Sequence, residues 1–249
     1  MTSHGGNRLS PWRARLQPSR REHAPQHGSP GGSPSRAKHL FGGLLCIVAA
    51  SVNAASVPDR LAQYGPAARA RLAPHFQRAG VTYPPKELCL VGLKEERQLE
   101  LYVASGTNAL RFVRAYRIQA ASGSAGPKLR EGDGQVPEGF YRIESLNPNS
   151  RYHLSLRINY PNQADREQAR RDGRTQLGGD IMIHGSNVSI GCLAMGDEAA
   201  EDIFVLAADT GLKQIRVLLS PVDFRVRRLP QDAPSLYQQL AVELKRLTR

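Results

Sequence analysis

The chain has 249 residues, 34 lysines and arginines against 22 aspartates and glutamates for a formal charge of +12, and three cysteines. Three cysteines are too few for the disulfide framework of a small secreted scaffold. The basic residues form no stripe interleaved with aromatics, which argues against a single-strand nucleic-acid binder.

The leader comes first. Between Met1 and Ala54 the charges are Arg8, Arg13, Arg15, Arg20, Arg21, Arg36 and Lys38 against Glu22, so this stretch holds +6 of the +12. Within it, "SPGGSPSRAKH" precedes "LFGGLLCIVAASVNAAS". A basic flank, an apolar stretch from Leu40 and small residues at Val52 and Ala54 with cleavage-site spacing predict a secretory signal peptide. The stretch is short for a bilayer span, which takes about 20 residues. Cys46 follows Leu44 and Leu45 rather than a small residue, so it reads as signal-peptide filler. What remains after cleavage is about 190 residues, enough for one domain with a sizeable core. Its balance of about +6 suits an anionic polymer surface in a general way. Export excludes nucleic acid as the partner.

The mature N-terminus, "VPDRLAQYGPAARARLAPHFQRAG", predicts one or two short helices broken near Gly65-Pro66 and stopped at Gly80. "ELCLVGLKEERQLELYVA" predicts a hairpin that turns over residues 94–97. Cys89, in the first apolar run, has the surroundings of a buried inert thiol, although a single bridge to Cys192 is compatible with export. Strands are predicted at "RFVRAYRIQ", "GFYRIESL", "YHLSLRINY", "DIMIHG" and "QIRVLLSP", with a short polar helix inside "YPNQADREQARRDGRTQLGG". Asp197 reads as the N-cap of a helix with Ala200, Ile203, Phe204 and Ala207 on one face, ending at Gly211. A last amphipathic helix carries Leu236, Leu240, Leu244 and Leu247. Five to seven short strands with a few helices predict an α+β, β-rich domain and not a doubly wound sheet. The predicted organisation is a leader and signal peptide over 1–54, a helical extension over 55–87, a catalytic domain over 88–225 and an amphipathic helix over 226–249.

The chemistry concentrates in "IMIHGSNVSIGCLAMGD", which holds His184 and Cys192. Fully extended, eight residues separate them by about 26 Å. If the chain reverses at Val188 as a hairpin, the two face each other with Cβ atoms about 5 Å apart. A thiol of pKa about 8.5 is mostly protonated at neutral pH, so a nearby imidazole that takes the proton creates the nucleophile. The amides of Gly191 and Cys192 are candidate oxyanion donors, and Gly185 a candidate for orienting the imidazole through its carbonyl. Two other readings stay open on spacing alone. One is a metal site, with His75, His153 and Cys89 as further ligands despite their lack of ligand spacing; the other is a pair of core residues without chemistry.

"HG", a short loop and "SIGC" resemble the signature of the YkuD-type L,D-transpeptidases. "GPKLREGDGQVPEGFYRI", "NSRYHLSLRINYPN", "GGDIMIHG" and "SIGCLAMGDEAAEDIF" resemble its YafK-like branch, over about Leu88 to Arg225. The resemblance implies a β-sandwich-like catalytic domain with peripheral helices and peptidoglycan tetrapeptide stems as partner; the signal peptide predicts an exported, periplasmic location, and no cofactor or metal is expected. Cys192 would be the nucleophile that forms a thioester, His184 its base and then acid, Gly185 the orienting carbonyl, and Ser189 the hydroxyl of the motif. For the YafK-like branch the resemblance also implies cleavage between peptidoglycan and a covalently attached outer-membrane lipoprotein. A catalytically silent wall-binding module is the alternative from another class.

Three departures from the wider family stand out. The loop after His184 is short, Ile190 replaces a second histidine, and Ala194 stands where an arginine or asparagine is usual. Tyr152 and Tyr160 are candidates for a peptide groove or for core, and His153 should face away from Tyr152. Asp180 reads as a turn residue, and Lys128 and Arg130 as part of a solvated loop at the cleft rim.

Overall fold

The structure, a computed structural model, describes residues 54–106, 109–123 and 126–247. The signal-peptide stretch and Cys46 lie outside them. Among the described residues no helix is long and apolar enough to cross a membrane.

The apolar runs form strands. β1 (Glu87–Leu93) and β2 (Gln98–Ala104) pair antiparallel from Leu93↔Gln98 to Glu87↔Ala104, so the hairpin turns at residues 94–97 as expected. Both strands are buried almost throughout, which accounts for their continuous rather than alternating hydrophobicity. The charged residue inside them, Glu100, is paired with Arg225 at 2.9 Å. β3 (Arg111–Arg117) adds beside β2.

β4 (Gly139–Ser150) joins the two halves of the sheet. Its first residues pair with β8 (Ile215–Ser220), while from Ile143 onward it pairs with β5 (His153–Ile158). β8 also lies parallel to β1, inserted between strands distant in sequence. With β6 (Met182–His184) and β7 (Leu193–Ala194) the order is β3-β2-β1-β8-β4-β5-β6-β7. The ends of this mixed sheet meet, because Ala194 forms an antiparallel bridge with Ala120 just beyond β3. One core therefore takes Leu90 and Leu101 from one half and Leu156, Ile183 and Leu193 from the other. The expected α+β class holds, its layers being two parts of one curled sheet.

Helices cover this sheet. α1 (Val57–Ala79) starts at a capping box of Ser56 and Asp59 and runs unbroken through Pro66 and Pro74. This corrects the expected break at Gly65-Pro66. A stripe of Gly65, Ala68, Leu72 and Phe76 is buried, and Arg69 and Arg71 pair with Asp209 and Asp202 of α3 (Asp197–Thr210) at 2.8 and 2.7 Å. Tertiary contacts outweigh a proline penalty of about 3 kcal/mol. α2 (Gln163–Arg171) is the polar helix, capped by Asn162 and Asp165. The N-cap of α3 is Gly196 and not Asp197, a second correction; Asp197 is its first residue. α4 (Ser235–Arg246) buries Tyr237, Leu240, Ala241 and Leu244.

Candidate active site

β6 alternates as its sequence requires. Ile181 and Ile183 enter the core, while Met182 and His184 point to the opposite face. β7 runs parallel to β6, pairing Ile183↔Leu193 and His184↔Ala194. The hairpin expectation is thereby corrected. The chain reverses twice in the loop, helped by left-handed Ser186 (φ 62°) and Gly191 (φ 83°), and returns in its original direction. Asp197 Oδ1 holds the first bend by accepting the Ser186 amide at 2.7 Å.

Continuing that register, Cys192 falls beside Met182, on the same face as His184 and diagonal to it, with Cα atoms about 8 Å apart. The Met182 amide donates to Cys192 Sγ at 3.3 Å, and the thiol faces the Asp180 carbonyl at 3.6 Å. Among the described residues no hydrogen bond joins the sulfur to the imidazole. Burial pushes the thiol above its ordinary range, with the Met182 amide opposing.

His184 is 2% exposed. Its Nδ1 bonds the Gly185 carbonyl at 2.6 Å, so Nδ1 carries the proton and Nε2 is left as acceptor. The Tyr152 ring covers the imidazole, centroids 4.8 Å apart and planes inclined by 33°. Burial lowers the imidazole pKa, partly offset by that carbonyl. Thiol and imidazole are therefore both favoured in their neutral forms at rest.

Gly185 is glycine for want of room. A Cβ there would lie 2.6 Å from Asp197 Oδ1, 2.8 Å from the Tyr152 carbonyl and 2.9 Å from His153 Cβ. Ser189 Oγ donates to the Cys192 carbonyl at 2.7 Å and accepts the Cys192 amide at 3.0 Å, closing the turn that carries the thiol. The Gly191 amide donates to Ser122 Oγ at 2.5 Å, and that hydroxyl donates to the Gly134 carbonyl at 2.7 Å. Both candidate oxyanion amides are thus engaged by serine oxygens.

The remaining sequence candidates separate. Tyr152 is 46% exposed over His184, whereas Tyr160 is buried against Tyr141 and donates to the Leu177 carbonyl. His153 turns away to Glu201 and Tyr64. Lys128 is not solvated, which corrects that expectation: it is buried, 2.8 Å from Asp133 and 2.9 Å from the Arg130 carbonyl. Cys89 and Cys192 are free thiols, so the bridge is not formed. Of the further metal-ligand candidates, His75 lies beside Arg78, His153 beside Glu201, and Cys89 is buried within β1. The Met182 amide, the Asp180 carbonyl and Ser122 were not legible. Backbone contacts set by a non-local register carry no residue-type signal.

A family profile described as YkuD, the L,D-transpeptidase catalytic domain, matches residues 88–217. The chain is 42% identical over 113 residues to a protein named putative L,D-transpeptidase YafK in Escherichia coli K12, covering 45% of this chain and 43% of that relative. It therefore spans less than half the length of the curated relatives it matches. Among solved structures it is similar to the helical cell shape determining protein Pgp2 of Campylobacter jejuni, with TM-score 0.45 and 22% identity over 62% of this chain and 52% of that one. It is also similar to Bd1075 of Bdellovibrio bacteriovorus, with TM-score 0.41 and 20% identity over 66% and 56%.

Proposed function

The chain belongs to the YkuD family of L,D-transpeptidase catalytic domains, and on that premise we propose that it is an exported, periplasmic cysteine acyltransferase acting on peptidoglycan stem peptides. Residues 88–225 form its catalytic unit, flanked by the 55–87 extension and by a C-terminal segment in which the helix expected over 226–249 is confined to Ser235–Arg246. The basic leader and apolar stretch ahead of Ala54 support export.

The observation that carries the reading is an imidazole with its Nδ1 committed to Gly185 and its Nε2 free, on the same strand face as a thiol. Rotation of Cys192 about χ1 moves Sγ from the Asp180 carbonyl toward His184, and such contacts commonly tighten when substrate arrives. Nε2 takes the thiol proton as sulfur attacks the carbonyl at the L-centre of the third-position diamino acid. The tetrahedral intermediate collapses to a thioester, and the imidazolium returns the proton to the departing amine. An amine or water then attacks the thioester and regenerates the thiol. The oxyanion is stabilised by the Gly191 and Cys192 amides once the carbonyl oxygen replaces the Ser122 and Ser189 hydroxyls as their acceptor.

A hydrolase that releases covalently attached lipoprotein is the second reading. Ile190 favours it: this side chain is 87% exposed beside the nucleophile and offers no polar group to hold an amine acceptor.

Mature protein incubated with tetrapeptide muropeptides and with lipoprotein-linked muropeptides, read by mass spectrometry, tests both. A new amide identifies the transferase and loss of lipoprotein the hydrolase. Neither product from wild type would favour a binding module, and activity surviving in Cys192→Ala would sink the thioester mechanism.

A further inference from the structure

The turn that joins β4 to β5 sets the surroundings of His184 in two ways. Its ladder ends at Ser150↔His153, the Tyr152 amide donates to Ser150 Oγ at 3.1 Å, and His153 is left-handed at φ 71°. The Tyr152 ring lies over the imidazole. The Tyr152 carbonyl and His153 Cβ are two of the three atoms that leave Gly185 no room for a side chain, and the Gly185 amide donates to the Leu154 carbonyl at 3.1 Å. Gly185 in turn offers the carbonyl that takes the Nδ1 proton of His184. The ring above the imidazole and the carbonyl that orients it therefore both depend on where residues 152–154 stand.

A non-glycine residue in the left-handed region persists where its surroundings hold it there. For His153 the hold is made by its side chain. Nε2 and Glu201 Oε1 lie 3.0 Å apart, and the ring meets Tyr64 edge-on with centroids 5.0 Å apart. Glu201 belongs to α3 and Tyr64 to α1. The other Glu201 oxygen accepts Arg71 Nη2 at 2.9 Å, while Arg71 Nε donates to Asp202 Oδ1 at 2.7 Å. Asp202 is fully buried and also accepts the Tyr116 hydroxyl at 2.9 Å, so the arginine end of the chain is fixed by the core. Arg71, Glu201 and His153 are all mostly buried, a setting in which charge-assisted hydrogen bonds hold a defined geometry. Arg69 also ties α1 to α3, but through Asp209, at the end of α3 remote from Asp197 and the site.

We propose that His153 is a positioning residue for His184, and that the relay Arg71–Glu201–His153 makes α1 a working part of the site. The inference rests on the acyl-transfer reading above, in which His184 is the base. α1 precedes the residues that match the family profile, so a segment outside that match completes the site of this chain. Without the relay the turn loosens over Gly185. The imidazole then loses its fixed orientation while the surface that binds substrate is kept, so the effect falls on kcat and not on KM.

The test uses the mature protein and two readouts. In turnover of tetrapeptide muropeptides, His153→Ala is expected to lose about tenfold in kcat with KM changed by less than about twofold. His153→Gln, whose amide can donate to Glu201 from a similar place, recovers most of that loss. Arg71→Ala loses a similar factor, and the double variant loses little more than either single one, as members of one chain do. Arg69→Ala keeps the wild-type kcat, although it removes the other tie between the two helices. The second readout needs no turnover. The buried Nδ1 proton of His184 gives a downfield resonance in proton NMR, identified by its loss in His184→Ala, and it is expected to shift or broaden in His153→Ala and in Arg71→Ala but not in Arg69→Ala. A resonance unchanged in His153→Ala overturns the proposal whatever the kcat, and so does an equal loss of kcat in Arg69→Ala, because any loosening of α1 would then suffice. A wild type without turnover whose resonance still moves in His153→Ala overturns the acyl-transfer reading and leaves the positioning role standing. Neither turnover nor movement overturns both.

Discussion

Cys89 lies in the middle of β1, between strands on either side, 1% exposed, and burial pushes its thiol up to about 12. Cys192 lies just ahead of a two-residue strand at the end of the sheet, partly open, with an amide donor on its sulfur and an imidazole on the same face. Burial raises the thiol in both places, yet one is sealed within the sheet and the other is partly open on the face that also carries an imidazole. On the proposed mechanism, reactivity follows from access and a proton acceptor more than from the resting acidity of the thiol.

The largest expected effect separates the two by removal. Cys192→Ala should lose at least about 10⁴-fold in turnover, and Cys89→Ala should keep turnover while losing about 1–2 kcal/mol of stability through a small core void. Muropeptide assays and urea unfolding check the pair, and a comparable activity loss in both would erase the distinction. Alkylation by iodoacetamide at pH 7 should modify Cys192 at least about 100-fold faster than Cys89, read by peptide mass spectrometry. Because burial raises the Cys192 thiol, its alkylation rate should go on climbing past pH of about 8.5, where an ordinary thiol is half ionised. A plateau below that pH would mean a preformed thiolate.

Gly185→Ala extends the contrast to the base. Its Cβ meets atoms on three sides, so the backbone must shift and His184 with it. A loss of about 1–3 kcal/mol in stability and about 100-fold in turnover is expected, measured by unfolding and by kcat. Tyr152→Ala is milder, about tenfold in kcat/KM. Uncovering the imidazole relieves the burial that lowers its pKa, so on acidification the neutral base is lost at a higher pH and the acid limb of the profile should move upward. A limb that moves downward would show that Tyr152 does not shield His184.

Period-2 patterning made β3, β4, β5, β6 and β8 legible, and the polar turn at residues 94–97 gave the first hairpin. Long-range pairing was not. Nothing in "QIRVLLSP" says that it inserts between β1 and β4, and nothing in "GSNVS" distinguishes one reversal from two. Gly65-Pro66 pointed to a break in α1 because local propensity was weighed without the ion pairs to α3. His184, Gly185 and Cys192 were legible as residue types at close spacing, and Ser189 only through the resemblance to the family motif. Their partners were not, since Ser122 reaches Gly191 from 69 residues away and Met182 and Asp180 act through backbone atoms.

The bridge between Ala120 and Ala194 has a kinetic meaning. It lies where the two ends of the sheet meet, next to the thiol-bearing turn, and joins residues 74 apart in sequence. Contacts of such separation carry a large loop-closure entropy and form late. The β6–β7 pairing that sets Cys192 beside Met182 joins residues only ten apart, but the thiol-bearing turn would lack its second anchor until the sheet has curled shut. Catalytic competence would then report on complete folding, and a chain trapped short of closure would carry an ordinary thiol.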